Sequence, residues 1–368
     1  MRVTSQKALG VLSNAFMFRK PHHVQWLITR KCNYRCRGCS VWRDQQEDAL
    51  SAADIKRGLD VLRQLGTIEI VLSGGNPLLR DDIDEILDYA SRFFITTIYD
   101  NGSTAYKKVD ILHKADFVAI SLDSLNPEVH DYIKGVKGAW KQAMKSIETL
   151  SENGVNVAVS PTISQLNIHE IQKITEYFTE RGIPVWYCLY SYDITDTEKS
   201  AFSIGRKKDE FEIQNKTDMA KLCDKLIQMR KQRKGILVTM RVLKALREYF
   251  SNGKRSWRCA ALRNFFVINH KGEVSGCHLF NPVCSIFELP KKWNSSELET
   301  LRRKYAQCTK CTYLCYIFYS LHGNITENLE LTKDQIGNAK WLLLQNRFHG
   351  SKLGRKTSKP SAGNGASE

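Results

Sequence analysis

Short apolar segments alternate with longer amphipathic segments between residues 24 and 190. The short segments are rich in β-branched and aromatic residues, which predicts strands. The longer ones repeat apolar residues every three to four positions, which predicts helices. The predicted strands are Val24–Thr29, Ile68–Ser73, Phe94–Tyr99, Phe117–Ser121, Val155–Ser160 and Pro184–Leu189. The predicted helices between them are Ala52–Leu65, Asp81–Arg92, Tyr106–Lys114, Ala139–Asn153 and Ile168–Arg181.

Repeated strand–helix alternation predicts a parallel sheet whose helices cross over in the right-handed sense. Six such units are too few for a closed barrel of eight strands. We therefore predict an α/β fold class, a partial (β/α)6 TIM-like barrel over residues 24–193. A small Cys-rich α+β domain is predicted to follow over residues 257–319.

The remaining segments are assigned from their composition and periodicity. The first 23 residues form an amphipathic arm with basic residues at both ends, which could lie on a membrane surface or pack on the barrel. Within the Cys-rich domain, a turn at Gly272 predicts a hairpin of Phe265–Asn269 and Glu273–Ser275. The other expected segments are a helical connector over 194–256, a C-terminal helix over 320–349 and a disordered basic tail over 350–368.

Charge and cysteine content narrow the possible partners and cofactors. Lysine and arginine exceed aspartate and glutamate by 55 − 39 = 16, so the protein attracts anions such as nucleic acid, acidic lipid headgroups or phosphorylated substrates. Charge alone does not choose among these, and no specific nucleic acid partner is expected. No apolar run reaches the roughly 20 residues of a membrane span. A cytoplasmic protein is expected, with the inner face of the membrane as a possible location. Eleven cysteines, an odd number, favour metal or cluster ligation over a framework of disulfides.

Three cysteines lie close together directly after the first predicted strand. Cys32, Cys36 and Cys39 have a C-x3-C-x2-C spacing. Thiolates with this spacing can bind three irons of one cubane cluster and leave the fourth iron open. In barrels, the loops at the carboxyl ends of the strands form the active face, so this loop is well placed. A zinc site is the alternative for the same three side chains.

Three later segments follow the next predicted strands in order. They are Ser73-Gly74-Gly75-Asn76-Pro77, then Asn101-Gly102, and then Ser121-Leu122-Asp123 with the run from Pro127 to Gly135. Together with the cysteine loop, these segments resemble the radical S-adenosylmethionine (SAM) superfamily, on its MoaA/SPASM side. The resemblance covers roughly residues 24–190.

The resemblance implies a [4Fe–4S] cluster on Cys32, Cys36 and Cys39 whose open iron binds SAM. Reductive cleavage of SAM would give a 5′-deoxyadenosyl radical that abstracts hydrogen from an unactivated carbon. The residues expected to contact SAM are Gly74, Gly75, Asn76, Pro77, Ser121 and Tyr34.

Two positions depart from the family pattern. Asn76 stands where the family usually has a glutamate for the SAM amino group, and its amide oxygen could still accept a hydrogen bond. Gly38 stands where an aromatic residue usually precedes the third cysteine. Tyr34 or Trp42 is expected to supply the missing contact to adenine.

A second group of cysteines lies near the C-terminus. Cys259, Cys277, Cys308 and Cys311 resemble the layout of the twitch domain, a short form of the SPASM domain, which implies one auxiliary [4Fe–4S] cluster. A structural zinc site is the alternative. Either Cys284 or Cys315 could also be a ligand. Four other cysteines need no metal to explain them, because free cysteine often serves as a small buried apolar residue. They are Cys188, Cys223, Cys284 and Cys315.

The sequence limits the substrate and partners less closely, and it identifies no catalytic acid or hydrogen donor. Candidate substrate contacts are Trp186, Tyr187, Tyr190, Tyr192 and Asp193, and His278 could tune the auxiliary cluster. The substrate is expected to be a peptide, a lipid or a small metabolite, and the electron donor a reduced ferredoxin or flavodoxin. A peripheral membrane contact is compatible with the basic arm. The alternative function is a non-enzymatic zinc protein that binds nucleic acid.

Overall fold

The computed structural model of the chain describes residues 20–43, 47–191, 209–232, 235–309 and 313–321. Several predictions fall outside these residues: most of the N-terminal arm, the start of the connector, nearly all of the C-terminal helix, the basic tail, Tyr192, Asp193 and Cys311. Among the helices of the described segments, none is long and apolar enough to cross a membrane.

Five parallel strands in chain order form the centre of the sheet. They are β1 (His23–Thr29), β2 (Glu69–Gly74), β3 (Ile95–Asp100), β4 (Phe117–Ile120) and β5 (Val157–Val159). Isolated parallel bridges extend the sheet beyond β5, from Val159 to Val185 and from Val185 to Ile236. A separate parallel pair, β6 (Thr162–Ile163) with β7 (Cys188–Leu189), flanks this edge. The predicted partial barrel is confirmed, and the sixth predicted strand pairs at Val185 and again at Cys188–Leu189.

Helices follow the strands and cover one face of the sheet. They are α1 (Ala52–Leu65), α2 (Ile83–Phe93), α3 (Val109–Leu112), α4 (Pro127–Lys134), α5 (Ala139–Glu152) and α6 (Ile171–Glu180). The predicted helix Tyr106–Lys114 is only one 3-10 turn and the short α3. Helix α4 was missed by periodicity because it is short. Its ends are nevertheless encoded locally: the Asn126 side chain accepts from the backbone of Glu128, and Gly135 ends the helix in the left-handed conformation.

The Cys-rich region continues the same sheet instead of forming a separate one. Strand β8 (Phe265–Ile268) pairs in parallel with β1 and antiparallel with β9 (Glu273–Ser275), and β10 (Cys284–Ser285) adds to β9. The hairpin predicted at Gly272 is present. Strand β1 therefore has a partner on both sides, β2 from the barrel and β8 from the Cys-rich region.

The remaining helices attach the C-terminal region to the barrel. They are α7 (Lys216–Gln232), α8 (Met240–Asn252), α9 (Leu289–Lys292), α10 (Ser296–Ala306) and α11 (Leu314–Leu321). In α11, the ring of Tyr319 stacks on His23 with a centroid distance of 4.0 Å, and its hydroxyl donates to Glu69. These contacts link the C-terminal region to the first residues of β1 and β2.

Helix α1 packs on β1 through a residue without a side chain. A Cβ atom at Gly58 would lie 2.3 Å from the ring of Trp26, which is completely buried. The space that a side chain would need is thus filled by the indole. We predict that Gly58→Ala lowers the free energy of unfolding by about 1–3 kcal/mol, because overpacking outweighs the better helix propensity of alanine. Denaturant unfolding of the variant should show this loss, with the exposed Gln64→Ala in the same helix as control. A more stable Gly58→Ala variant would contradict the packing described here.

Candidate functional site

The three cysteines of the first group converge in the loop that follows β1. The Cys39 N–H donates to the Cys36 carbonyl at 3.3 Å. Burial raises the pKa of all three thiols, that of Cys36 to about 12, and Cys36 is raised further by the neighbouring Cys39 and Cys32. Three half-buried thiols that influence one another in this way share one small volume at the carboxyl edge of the sheet.

The end of helix α4 supports this loop from one side. The Arg35 N–H donates to the Lys134 carbonyl at 3.3 Å, and the Arg37 N–H donates to the Ile133 carbonyl at 3.0 Å. A Cβ atom at Gly135 would lie 2.2 Å from the Arg35 carbonyl oxygen, so the helix end and the loop are in direct backbone contact. The loop is therefore held by fixed backbone groups of the barrel.

A buried ion pair lies beside two of the cysteines. The Lys134 ammonium is 2.7 Å from an Asp123 carboxylate oxygen, with both side chains buried, and the other carboxylate oxygen accepts from the Thr162 N–H at 2.8 Å. Burial alone would lower the pKa of Lys134, but Asp123 and the thiols of Cys36 and Cys39 raise it above its usual value. The sequence places both residues in the motif that follows the fourth predicted strand, but it does not predict their pairing.

The donor set fits an iron–sulfur cluster chemically. Buried thiols ionise readily when metal ions supply positive charge, and the Lys134 ammonium adds a positive charge next to the same thiols. Within the described ranges, no three His, Cys, Asp or Glu side chains are arranged to hold a single metal ion. A cubane cluster is larger than a single ion, so its ligands need not lie close enough to share one ion. The fit to a cluster rests instead on the three thiol donors in one loop.

The Gly-Gly turn at the end of β2 lies directly against the start of the cysteine loop. The Gly75 N–H donates to the Thr29 carbonyl at 3.0 Å, and the Asn76 N–H donates to the Lys31 carbonyl at 2.7 Å. Added Cβ atoms at Gly74 and Gly75 would lie 2.2 Å from these same carbonyl oxygens, and Gly74 has a φ of 144°. Only glycine permits this approach at either position.

Asn76 is completely buried, and its amide is already in use. Its side-chain oxygen accepts from the Leu78 N–H at 3.0 Å, and its nitrogen donates to Asn33 at 3.2 Å and to Asn101 at 3.1 Å. The expectation that the Asn76 oxygen accepts from a ligand ammonium does not match this geometry. Asn76 instead orients the amides of Asn33 and Asn101, which are more exposed.

Gly38 makes room for aromatic side chains from another part of the chain. A Cβ atom at Gly38 would lie 2.9 Å from the ring of Tyr190 and 3.3 Å from that of Phe211. These two rings stack with a centroid distance of 5.2 Å. Tyr34 or Trp42 was expected to supply the contact to adenine that an aromatic residue at position 38 would make. Tyr34 is only 2% exposed and donates to Gln142 of α5, and the Trp42 indole donates to the Cys36 carbonyl.

The other predicted contacts divide into accessible and buried residues. Ser121 is half-buried at the end of β4, where its N–H donates to the Asp100 carbonyl. Trp186 is half-buried and packs edge-on against Phe318. Tyr187 is fully buried and its hydroxyl is bonded to Thr175 at 2.8 Å, so its prediction as a substrate contact is wrong.

Three cysteines of the second group surround one tyrosine of α10. Burial first, and then the thiols of Cys277, Cys259 and Cys308, raise the pKa of Tyr305. The hydroxyl-bearing end of this ring also lies against Gly276, where a Cβ atom would be 2.5 Å from it. The thiols of Cys259, Cys277 and Cys308 therefore all lie near Tyr305. The fourth predicted ligand lies outside the described residues.

The remaining cysteines and His278 occupy other surroundings. Cys315 neighbours Tyr99 of the barrel and Tyr319 of its own helix α11, and Cys188 is 3.6 Å from the Ser160 hydroxyl. Cys223 is fully buried in α7, and Cys284 lies near Lys292 and Glu288. His278 packs between Tyr313 and Tyr316, and burial lowers its pKa to about 3.

Comparisons with known proteins agree with this arrangement. Residues 26–178 match the model of the radical SAM superfamily. The chain is 29% identical over 271 residues to AlbA, the antilisterial bacteriocin subtilosin biosynthesis protein of Bacillus subtilis, a match that covers 72% of this chain and 56% of AlbA. It is 23% identical over 316 residues to an AdoMet-dependent heme synthase of Oleidesulfovibrio alaskensis, with 79% and 80% of the two chains covered.

A solved structure shares the fold. The crystal structure of Streptococcus suis SuiB bound to its precursor peptide SuiA superposes with a TM-score of 0.61 at 17% identity. The superposition covers 88% of this chain and 76% of SuiB. The partial barrel and its C-terminal extension are thus found together in another protein.

Asp100, at the end of β3, is a buried acid that sequence reasoning missed. One of its carboxylate oxygens accepts from the Gly102 N–H at 2.6 Å, and the other has no hydrogen-bond partner among the described residues. Burial raises the pKa of Asp100 to about 7, against the opposing effects of Gly102, Lys108 and Asn76. Asp100 lies beside Asn76, so its charge acts on the hydrogen-bonded amides of Asn33, Asn76 and Asn101.

This pKa predicts a pH-dependent stability. Between about pH 4 and pH 7 the folded protein binds a proton at Asp100 that the unfolded chain has lost, so this group lowers stability as the pH rises. We predict that raising the pH from 5 to 8 increases the free energy of unfolding of the Asp100→Asn variant by roughly 2–3 kcal/mol relative to that of the natural protein. Denaturant unfolding of both metal-free proteins at each pH measures the change. An unchanged difference between the two proteins would contradict the assignment.

Proposed function

We infer the function of this protein from the premise that it belongs to the radical SAM superfamily and is an enzyme of that kind. Its family binds a [4Fe–4S] cluster and SAM. We propose that this chain abstracts hydrogen from a carbon of a peptide substrate. The observation that carries the proposal is the convergence of Cys32, Cys36 and Cys39 in a loop bonded to the Gly-Gly turn.

Each residue set has a proposed task. The three cysteines hold the cluster, which, when bound, supplies the electron that splits SAM into methionine and a 5′-deoxyadenosyl radical. The backbone of Gly74 to Pro77 shapes the SAM site, and Asn76 orients the amides of Asn33 and Asn101 towards it. Ser121 at the end of the neighbouring strand is the proposed contact of the SAM carboxylate. The Lys134–Asp123 pair keeps a cation beside two thiolates and supports the loop.

The barrel interior offers polar surface for a substrate. Tyr99 near the end of β3, Ser121 after the adjacent β4 and Cys188 in β7 are half-buried, and Gln25 donates to Ser73 across β1 and β2. A site inside the barrel that excludes water would protect a radical from unwanted partners. These side chains, with Trp186, replace the buried Tyr187 as proposed substrate contacts.

An auxiliary [4Fe–4S] cluster is proposed for the second group of cysteines. Cys259, Cys277 and Cys308 supply three thiols around Tyr305, and Cys311 is the proposed fourth. The layout of the four in the sequence, and the extension shared with SuiB, support this assignment. Because β8 pairs with β1, such a cluster would be rigidly attached to the barrel that holds the first one.

A peptide is the preferred substrate because AlbA acts in bacteriocin biosynthesis and SuiB was solved with its precursor peptide. A tetrapyrrole is the second candidate, since the heme synthase is matched over about four fifths of both chains. The membrane lipid considered from the sequence depends on the basic charge, on Gly38 and on an N-terminal arm most of which lies outside the described residues.

The substrate proposal is tested by 5′-deoxyadenosine formation with reconstituted, reduced enzyme and SAM. Short peptides from the source cells should stimulate the product above the level without substrate, and iron coproporphyrin III should not. Stimulation by the porphyrin alone would replace the peptide with the second candidate. No product under any condition, from protein shown to carry iron and sulfide, would refute the proposed enzyme.

The two cluster assignments are separable by mutation. Replacing Cys32, Cys36 and Cys39 together with alanine should abolish SAM cleavage and leave about four irons, those of the auxiliary cluster. The matched variant, with alanine at Cys259, Cys277 and Cys308, should also keep about four irons and should still cleave SAM. Iron and sulfide analysis with product assay measures both. Retained cleavage in the first variant, or zinc at both sites, would contradict the assignments.

A further inference from the structure

The cysteine loop carries a regular alternation of inward and outward residues. Tyr34 is buried and the cysteines at 32 and 36 are half-buried, whereas Asn33, Arg35 and Arg37 are exposed. The half-buried cysteines thus alternate with exposed side chains, and two of these, Arg35 and Arg37, carry guanidinium groups. The Arg35 guanidinium donates to the Cys32 carbonyl at 3.1 Å, so this exposed surface lies next to the cysteines.

Two aromatic rings hold these guanidinium groups in place. Arg35 and Arg43 lie over the ring of Trp42, 5.3 and 5.2 Å from its centroid, and the Trp42 indole donates to the Cys36 carbonyl at 2.9 Å. Arg37 lies 4.1 Å from the ring centroid of Tyr132, which is 43% exposed. We refer to Arg35, Arg37, Trp42, Arg43 and Tyr132 as the arginine patch.

The charge of the arginine patch is not neutralised by nearby acids in the part of the chain that the structure describes. No carboxylate there forms an ion pair with any of its three arginines. Lys31, by contrast, is paired with Glu47 and Asp48 at the rim. Glu210 accepts a hydrogen bond from the Tyr132 hydroxyl at 2.9 Å but forms no ion pair with Arg37, which lies over the ring of Tyr132. The patch thus presents three cations and two flat rings.

Arginine and aromatic residues are enriched at protein interfaces, and ordered side chains lose little entropy on binding. Complementary charge raises the rate of encounter and makes that rate sensitive to salt. Redox partners dock through small, transient interfaces, so a docking surface of a few residues is typical of them. We propose that the arginine patch is the docking surface for an acidic one-electron carrier protein that reduces the cluster. The inference rests on the proposed function, because it presupposes the cluster on this loop.

The test uses the reconstituted holoenzyme and two reductants: prereduced flavodoxin, an acidic protein, and photoreduced deazaflavin, a small molecule that needs no docking surface. With the double variant Arg37→Glu and Arg43→Glu, we expect kcat/KM for flavodoxin in 5′-deoxyadenosine formation to fall about tenfold or more. Its dependence on ionic strength should flatten. The deazaflavin-driven rate should stay at the level of the natural enzyme.

Arg181→Glu is the matched control, because Arg181 also stacks on a tyrosine, Tyr177, at 3.6 Å, but lies at the end of α6, where the chain returns to the opposite edge of the sheet. It should leave both rates unchanged. A flavodoxin-driven rate and salt dependence unaffected by the double variant would overturn the docking surface. An equal loss with both reductants would also overturn it, since the arginines would then act on the cluster. Failure of the natural enzyme with deazaflavin would instead count against the proposed function itself.

Discussion

The contact between the start of the cysteine loop and the Gly-Gly turn is the constraint on which the site depends. The carbonyl oxygens of Thr29 and Lys31 accept from the N–H groups of Gly75 and Asn76, at distances that leave no room for a side chain. Two adjacent strands of a parallel sheet end at the same edge, so their loops can be joined in this way. The join fixes the cysteines relative to the residues proposed to bind SAM.

Buried polar groups then complete the site around this contact. The amide of Asn76 joins two strands and the cysteine loop, and the Lys134–Asp123 pair ties the motif after β4 to the same loop. Such groups contribute little net stability, because their desolvation offsets their attraction, but they fix one arrangement. The partly unsatisfied Asp100 lowers stability, and it lies at the functional edge of the sheet, where such strain is usually found.

Local patterns predicted the elements well, because strand and helix periodicity and capping residues act over short distances. Helix α1 has the predicted bounds, and its capping box of Ser51 and Asp54 is local. The pairing of β8 with β1 joins segments more than 200 residues apart, and no local signal reports it. The same holds for Tyr190 and Phe211, which fill the space beside Gly38. The three cysteines were identifiable by spacing, whereas the buried state of Asn76 follows only from its three-dimensional neighbours.

The central claim is that the loop after β1 holds a cluster with one iron open to SAM. Electron paramagnetic resonance of the reduced protein tests it most directly, in the variant with alanine at Cys259, Cys277 and Cys308, so that only the first cluster contributes. Binding of the SAM amino and carboxylate groups to iron changes the symmetry of that cluster. We predict that adding SAM shifts the g-values of its signal. A signal that is identical with and without saturating SAM would contradict an open iron at this loop.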